Sequence, residues 1–199
     1  MTLGEHRYAL TATWEGNLGT GTSGYREYSR DVTLSVEGKP DVLASADKPF
    51  RGDATRWNPE DMLLAALSEC HLLSYLHACV TAGVVVVSYR DRATGVMTED
   101  GRSGGAFTDV LLRPEVVVAE PAMIERAEHA HEEAHRMCFI ANSVNFPVRH
   151  EAVVTSRRPF DGLRDRSDEL RSAGRPSQRR SWGRACLILS IGLCAGGSL

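Results

Sequence analysis

The 199-residue sequence lacks any stretch of the roughly 18 apolar residues that a membrane-spanning helix needs. The longest candidate near the C-terminus, Ala185 to Leu193, is too short. The opening residues, MTLGEHRYALTATW, have no apolar core behind a basic start, so no secretory signal is expected. Cysteine is sparse. Five cysteines without an export signal point to reduced thiols with separate roles and exclude a disulfide scaffold. These absences lead to the expectation of a cytoplasmic protein without a membrane partner. Internal repeats are also missing, which removes the solenoid and propeller classes. What remains is 42% hydrophobic and 25% charged, the balance of an ordinary globular chain. Its length suits one domain with a buried core, or one domain and a tail.

Charge marks a boundary. Residues 1–155 carry 14 Lys/Arg against 22 Asp/Glu, whereas residues 156–199 carry nine Arg, no Lys and four Asp/Glu. The first part is therefore at −8 and the second at +5, which together give the net −3 of the chain. The expected organisation is a folded domain over 1–155 and an Arg-rich, disordered extension over 156–199. Arginine-rich tails can bind nucleic acid. Here neither periodicity nor interleaved aromatics accompany the charge, so no nucleic-acid partner is expected.

The apolar pattern of the first 155 residues reads as α+β. Strands are expected over Arg7–Trp14 and Asp31–Val36, and a loop over the Pro-, Asp- and Gly-rich residues 38–57. Asn58 opens the strongest helix signal. It is a good N-cap, Pro59 suits the first helical position, and Glu60 and Asp61 favour the positive end of the helix dipole. This helix stops at Gly83, which fits a position just past a helix end. It is apolar nearly all round and is expected to be buried. Strands follow over Val84–Tyr89, with Arg92–Met97 pairing beside it, then Phe107–Arg113 and Glu115–Ala119. A second helix runs from Pro121 to near Met137, and Val148–Thr155 closes the domain as a strand.

Two groups of residues carry possible chemistry. The first is a pair of thiols. Cys70 lies in the middle of the buried helix, where polar Glu69 and His71 flank it and suggest a polar cavity. Cys138 lies just past the second helix. Cys79, nine residues beyond Cys70 and about 180° away round the helix, is expected to be structural. Cys186 and Cys194 fall in the tail and have no expected role. The second group is His131-Glu132-Glu133-Ala134-His135, an H-E-x-x-H pattern that could share a zinc between its histidines, with the Glu as base. No third ligand stands at a recognisable spacing, and with His129 and Glu128 the run reads as a solvated helix face. No metal or other cofactor is therefore expected. His71 and His77 could line the pocket or be hydrogen-bonded core histidines.

The segment Asn58-Pro59-Glu60 through Ala65-Ala66 to Cys70 resembles the signature of the OsmC/Ohr family of thiol peroxidases. Cys138, in Ala134-His135-Arg136-Met137-Cys138, lies where that family places its second cysteine. The resemblance covers roughly residues 6–155. It implies an OsmC-like α+β fold, with antiparallel sheets wrapped around a long buried central helix, and an intertwined homodimer with shared active sites. It further implies that Cys70 is the thiolate that attacks a peroxide and that Cys138 resolves the sulfenic acid as a disulfide. A dithiol reductant of the lipoyl or thioredoxin type then reduces that disulfide. Glu60 matches the family's glutamate, which holds an arginine that activates the thiol. Arg30 is the first candidate for that arginine and Arg51 the second. The residue after Cys138 is Phe139 where a proline is common.

Ten helical residues separate Glu60 from Cys70, about 15 Å at ~1.5 Å per residue, so Glu60 can serve only the Cys70 of a second, antiparallel chain. Organic hydroperoxides are the expected substrates. Met62, Leu63, Leu67, Phe139 and Phe146 are available to line a pocket for an apolar peroxide tail. The alternatives are a zinc hydrolase acting through His131 and His135, and a non-catalytic member of the fold that binds a small hydrophobe.

Overall fold

The computed structural model describes residues 4–157 apart from Ser103. Residues 158–199 lie outside the described residues, and with them Cys186, Cys194 and nearly all of the Arg-rich extension. In chain order the elements are β1 (Thr11–Trp14), β2 (Val32–Ser35), β3 (Val42–Ala44), α1 (Pro59–Thr81), β4 (Val86–Asp91), β5 (Thr94–Glu99), β6 (Gly105–Leu112), β7 (Pro114–Val118), α2 (Ile124–Met137), β8 (Val148–His150) and β9 (Val153–Ser156).

Helix α1 begins and ends on local chemistry. The Asn58 side chain accepts a hydrogen bond from the Asp61 N–H at 2.7 Å, and Pro59 occupies the first turn, where its missing N–H leaves no bond unmade. At the other end Gly83 takes φ +66°, and the Val84 N–H reaches back to the Cys79 carbonyl at 2.8 Å. Arg126 of α2 adds a hydrogen bond to the Ala82 carbonyl at 2.9 Å, supplying positive charge where the helix dipole is negative. The 23-residue helix reaches a mean hydropathy of 1.4 over an 18-residue window, so one helix here has the length and composition of a membrane span, which the run count did not anticipate. Its packing is that of a domain helix, with Leu67, His71, Tyr75, Ala78 and Cys79 buried against the rest of the chain.

The strands form three sheets of three, ordered β1-β2-β3, β4-β7-β9 and β5-β6-β8. This differs from the expected arrangement in three respects. Val42–Ala44 pairs with β2 within the stretch expected to be loop. The strand at Arg92–Met97 does not pair with its predecessor: β5 joins β6, and β4 joins β7. The closing strand is two strands, broken at Glu151 and Ala152, and each runs parallel to its neighbour, so two of the sheets are mixed. A return from α2 arrives in the parallel sense because a helix lies between the partners.

Two apolar clusters hold α1 in place. Toward its C-terminal half, Tyr75, Ala78 and Cys79 pack with Val116 and Val118 of β7 and with Ala127, Ala130 and Ala134 of α2. The three alanines follow an i, i+3, i+7 spacing, one face of small side chains that admits α1 closely. Toward the other half, Leu67 packs with Val110 and Leu112 of β6 and Val148 of β8. Burial of α1 is not all round in the single chain. Leu73 is 58% exposed and Val80 78% exposed, with Leu76 beside them, so one apolar stripe faces outward.

Candidate active site

Cys70 is half-buried at the third turn of α1 and opens into an apolar groove of about 760 Å³. Ala66, Cys70, Leu73 and His77 line it at i−4, i, i+3 and i+7, so one helix face forms the floor. Met137, Phe139 and Ile140, from the end of α2 and the turn beyond it, form the wall. Glu69 and Ser74 supply the polar rim.

Cys138 ends α2 and is fully enclosed. Its backbone N–H bonds the His135 carbonyl, and its Sγ accepts from the Ala141 N–H at 3.4 Å. The two cysteines, 68 positions apart in sequence, are neighbours here: Cys70 stands close enough to the Cys138 thiol to act on its titration. Burial, reinforced by the neighbouring Cys70, pushes the Cys138 thiol up to about 11, against the opposing pull of the Ala141 and Ile140 N–H groups. The side chain stays a neutral thiol near pH 7 while lying beside Cys70. Cys79, by contrast, sits in the core beside Tyr75, and burial raises its thiol.

The other sequence-selected residues divide. Phe139 is 81% exposed and lines the groove. Leu67 is wholly enclosed in the core, and Leu63 and Phe146 pack against that same cluster, so these three support the helix instead of lining the groove. Met62 lines a different cavity, of about 480 Å³, together with Pro59 and Arg30. His77 lines the groove and His71 does not. The residues that sequence reasoning passed over are Ala66, Leu73, Met137 and Ile140. The signal for the first two was their i−4 and i+3 spacing from Cys70.

Glu60 lies in the first turn of α1 with one carboxylate oxygen buried and without a hydrogen-bond partner among the described residues. Arg30 donates to the Tyr28 carbonyl at 2.8 Å and the Tyr25 carbonyl at 3.1 Å, and its guanidinium lies 4.1 Å above the Tyr28 ring. Such stacking fixes a planar cation. Arg51 is exposed, at φ 64°, and covers the outer side of Tyr25 at 5.2 Å. Arg30 therefore belongs to the Glu60 end of α1 and not to the Cys70 groove of its own chain.

The H-E-x-x-H segment departs from its expected solvated setting. His131 is buried against His71 and Tyr75 of α1 and His135 is half-buried near His150, while Glu128, His129, Glu132 and Glu133 face outward. His131 Nδ1 is 3.1 Å from His71 Nε2. A zinc site needs imidazole nitrogens that converge on a common point. Here one of them is engaged by a second histidine, and the described residues hold no group of three or more His, Cys, Asp or Glu side chains placed for a metal ion.

With this geometry in place, comparison with known proteins is direct. The family model described as OsmC-like protein matches residues 52–152, which include Glu60, Cys70 and Cys138. An OsmC-like protein of unknown function from Vibrio cholerae is 31% identical and superposes with a TM-score of 0.66, covering 75% of this chain and 100% of that one. An organic hydroperoxide resistance protein from Elizabethkingia anophelis, 18% identical with a TM-score of 0.55, shares the fold over 77% of this chain and 100% of its own. The uncharacterized protein YmaD of Bacillus subtilis is 24% identical over 159 residues, 76% of this chain and 97% of that protein. The matched segment, the shared fold and the paired thiols agree: the chain belongs to the OsmC-like family.

Proposed function

We propose that this protein is a thiol-dependent peroxidase that reduces organic hydroperoxides, and hydrogen peroxide more slowly, in defence against oxidative stress. The observation that carries the reading is the approach of the enclosed Cys138 to Cys70, which itself opens on an apolar groove. The reactive form of cysteine is the thiolate. Cys138 is enclosed and held neutral, so the attacking sulfur is that of Cys70, which faces the groove. The Cys70 thiolate attacks the distal peroxide oxygen, the O–O bond breaks, and the alkoxide takes a proton and leaves as the alcohol. The Cys138 thiol then attacks the sulfenic sulfur. A disulfide forms, the Cys138 proton leaves with the hydroxyl as water, and one molecule of peroxide has oxidised two thiols. An external dithiol restores both. A reducing compartment such as the cytoplasm suits this cycle.

The assembly we propose is an antiparallel homodimer. The outward stripe of Leu73, Leu76 and Val80 gives α1 an apolar face to bury. A second copy laid along it brings its own Glu60 end to the Cys70 of the first. Glu60, whose buried oxygen lacks a partner among the described residues, and Arg30 would then stand beside a thiolate that needs a cation.

The test is peroxide consumption with cumene hydroperoxide and an excess of a small dithiol. The wild type is expected to turn over and Cys70→Ser to fall to the background rate. Full turnover by Cys70→Ser would overturn the assignment of a Cys70-based peroxidase, and none by the wild type would leave the chain as a non-catalytic member of the fold.

A further inference from the structure

Between α1, α2 and β8 lies a stack of imidazoles that the peroxide chemistry does not use. His71 and His131 are each 1% exposed, and their rings are parallel within 5°. Tyr75 lies under His131 at 4.0 Å, and His150 covers both histidines at 5.5 and 5.6 Å. His135 flanks His150 at 6.1 Å. A single hydrogen bond joins His71 Nε2 to His131 Nδ1, which requires one proton between the two nitrogens. The remaining nitrogen of His131, Nε2, is enclosed without a partner among the described residues.

The stack is tied to the thiols through the backbone. His71 follows Cys70 directly, and His131 lies two turns before Cys138 on the same face of α2. The Cys138 N–H is bonded to the His135 carbonyl. A shift of α2 against α1 therefore moves Cys138 off Cys70.

We infer that the His71–His131 pair, seated on Tyr75 and covered by His150, is a positioning clasp that holds Cys138 against Cys70 only while both imidazoles are neutral. A proton added to either ring is a charge without a counterion. From α1 the facing groups are Tyr75 and Cys79, from β4 Tyr89, and from β8 His150. On α2, Glu128 acts on Tyr75, and Glu132 faces His150 at 3.5 Å. No carboxylate pairs with His71 or His131 among the described residues. In keeping with this, burial first and the neighbouring histidines second lower His71 to about 4 and His131 to about 3. The consequence for the cysteine pair rests on the reading above, whereas the clasp itself does not.

The experiment uses no peroxide, so its failure is separate from failure of the peroxidase reading. The reduced full chain is pulsed with N-ethylmaleimide from about pH 7.5 down to about pH 4.5, across the ordinary histidine range. Labelling of Cys138 is read by peptide mass mapping in the wild type and in His131→Phe, which keeps an aromatic ring on Tyr75. The wild-type to variant ratio removes the pH dependence of thiol alkylation. The expected ratio is below one at neutral pH, where only the variant lacks the hydrogen bond that holds Cys138, and it rises toward one below about pH 6, by up to about tenfold per pH unit. A ratio independent of pH would overturn the clasp. Where His131→Phe is unfolded by circular dichroism, His71→Phe replaces it. In addition, the ring-proton shifts of wild-type His71 and His131 are expected to titrate below pH 5, and ordinary titration near pH 6.5 with Cys138 still protected would also overturn it.

Discussion

At the scale of residues, the account rests on two thiols in unlike settings. Cys70 opens on the groove; Cys138 is enclosed and protonated. In Cys138→Ser, one equivalent of an alkyl hydroperoxide is expected to leave one added oxygen on Cys70 and no intramolecular disulfide, as read by intact mass. An unoxidised Cys70 in that variant would contradict the assignment of roles. The histidines make a second statement at this scale. His71 and His131 sit near 4 and 3 in the folded chain, below the ordinary value of about 6.5 that they regain on unfolding. The unfolded chain therefore binds more protons in that interval. Stability is full above about pH 6.5 and falls as the pH drops toward 4, by up to about 1.4 kcal/mol per pH unit for each histidine. Urea midpoints at stepped pH are expected to fall in the wild type and to flatten in a His71→Phe/His131→Phe double variant. An unchanged slope in that variant would place the acid sensitivity elsewhere.

At the scale of elements, the close approach of α1 and α2 depends on the alanine face of α2. Replacing Ala130 by Leu inserts three carbons where the structure is already filled and is expected to cost about 1–3 kcal/mol in urea unfolding. The exposed His129→Leu on the opposite face is expected to change stability by less than about 0.5 kcal/mol. Equal effects would mean that this face is not tightly packed. The same helices show what was legible in the sequence. Both ends of α1 were readable because their signals are local: a capping Asn58, a Pro at the first position, and a Gly at positive φ. The meeting of Cys70 and Cys138 was expected only through family resemblance, since no local pattern spans 68 positions. Pairing of β5 with β6, and the parallel addition of β8 and β9, depend on contacts between distant segments and left no local trace. The inward histidines were misread from the charges around them. The available signal was the stripe Ala127, Ala130, His131 and Ala134, whose spacing puts His131 on the buried face. The substrate-lining set failed in part because Leu63, Leu67 and Phe146 are apolar for the core's sake.

At the scale of the whole molecule, the stripe of Leu73, Leu76 and Val80 on α1 is an apolar face left exposed among the described residues. Leu76→Glu combined with Val80→Glu places two charges on it, and sedimentation is expected to show a dimeric wild type and a monomeric variant. An unchanged mass would move the interface elsewhere. Because Glu60 lies about 15 Å along the helix from Cys70 of its own chain, the monomeric variant is also expected to lose most of its peroxide turnover. The most direct measurement of the central claim is peptide mass mapping of the reduced wild type after one equivalent of cumene hydroperoxide. The expected result is a disulfide between Cys70 and Cys138 with Cys79 left as a free thiol. Oxidation confined to Cys79, or a chain in which Cys70 and Cys138 both stay reduced, would contradict it.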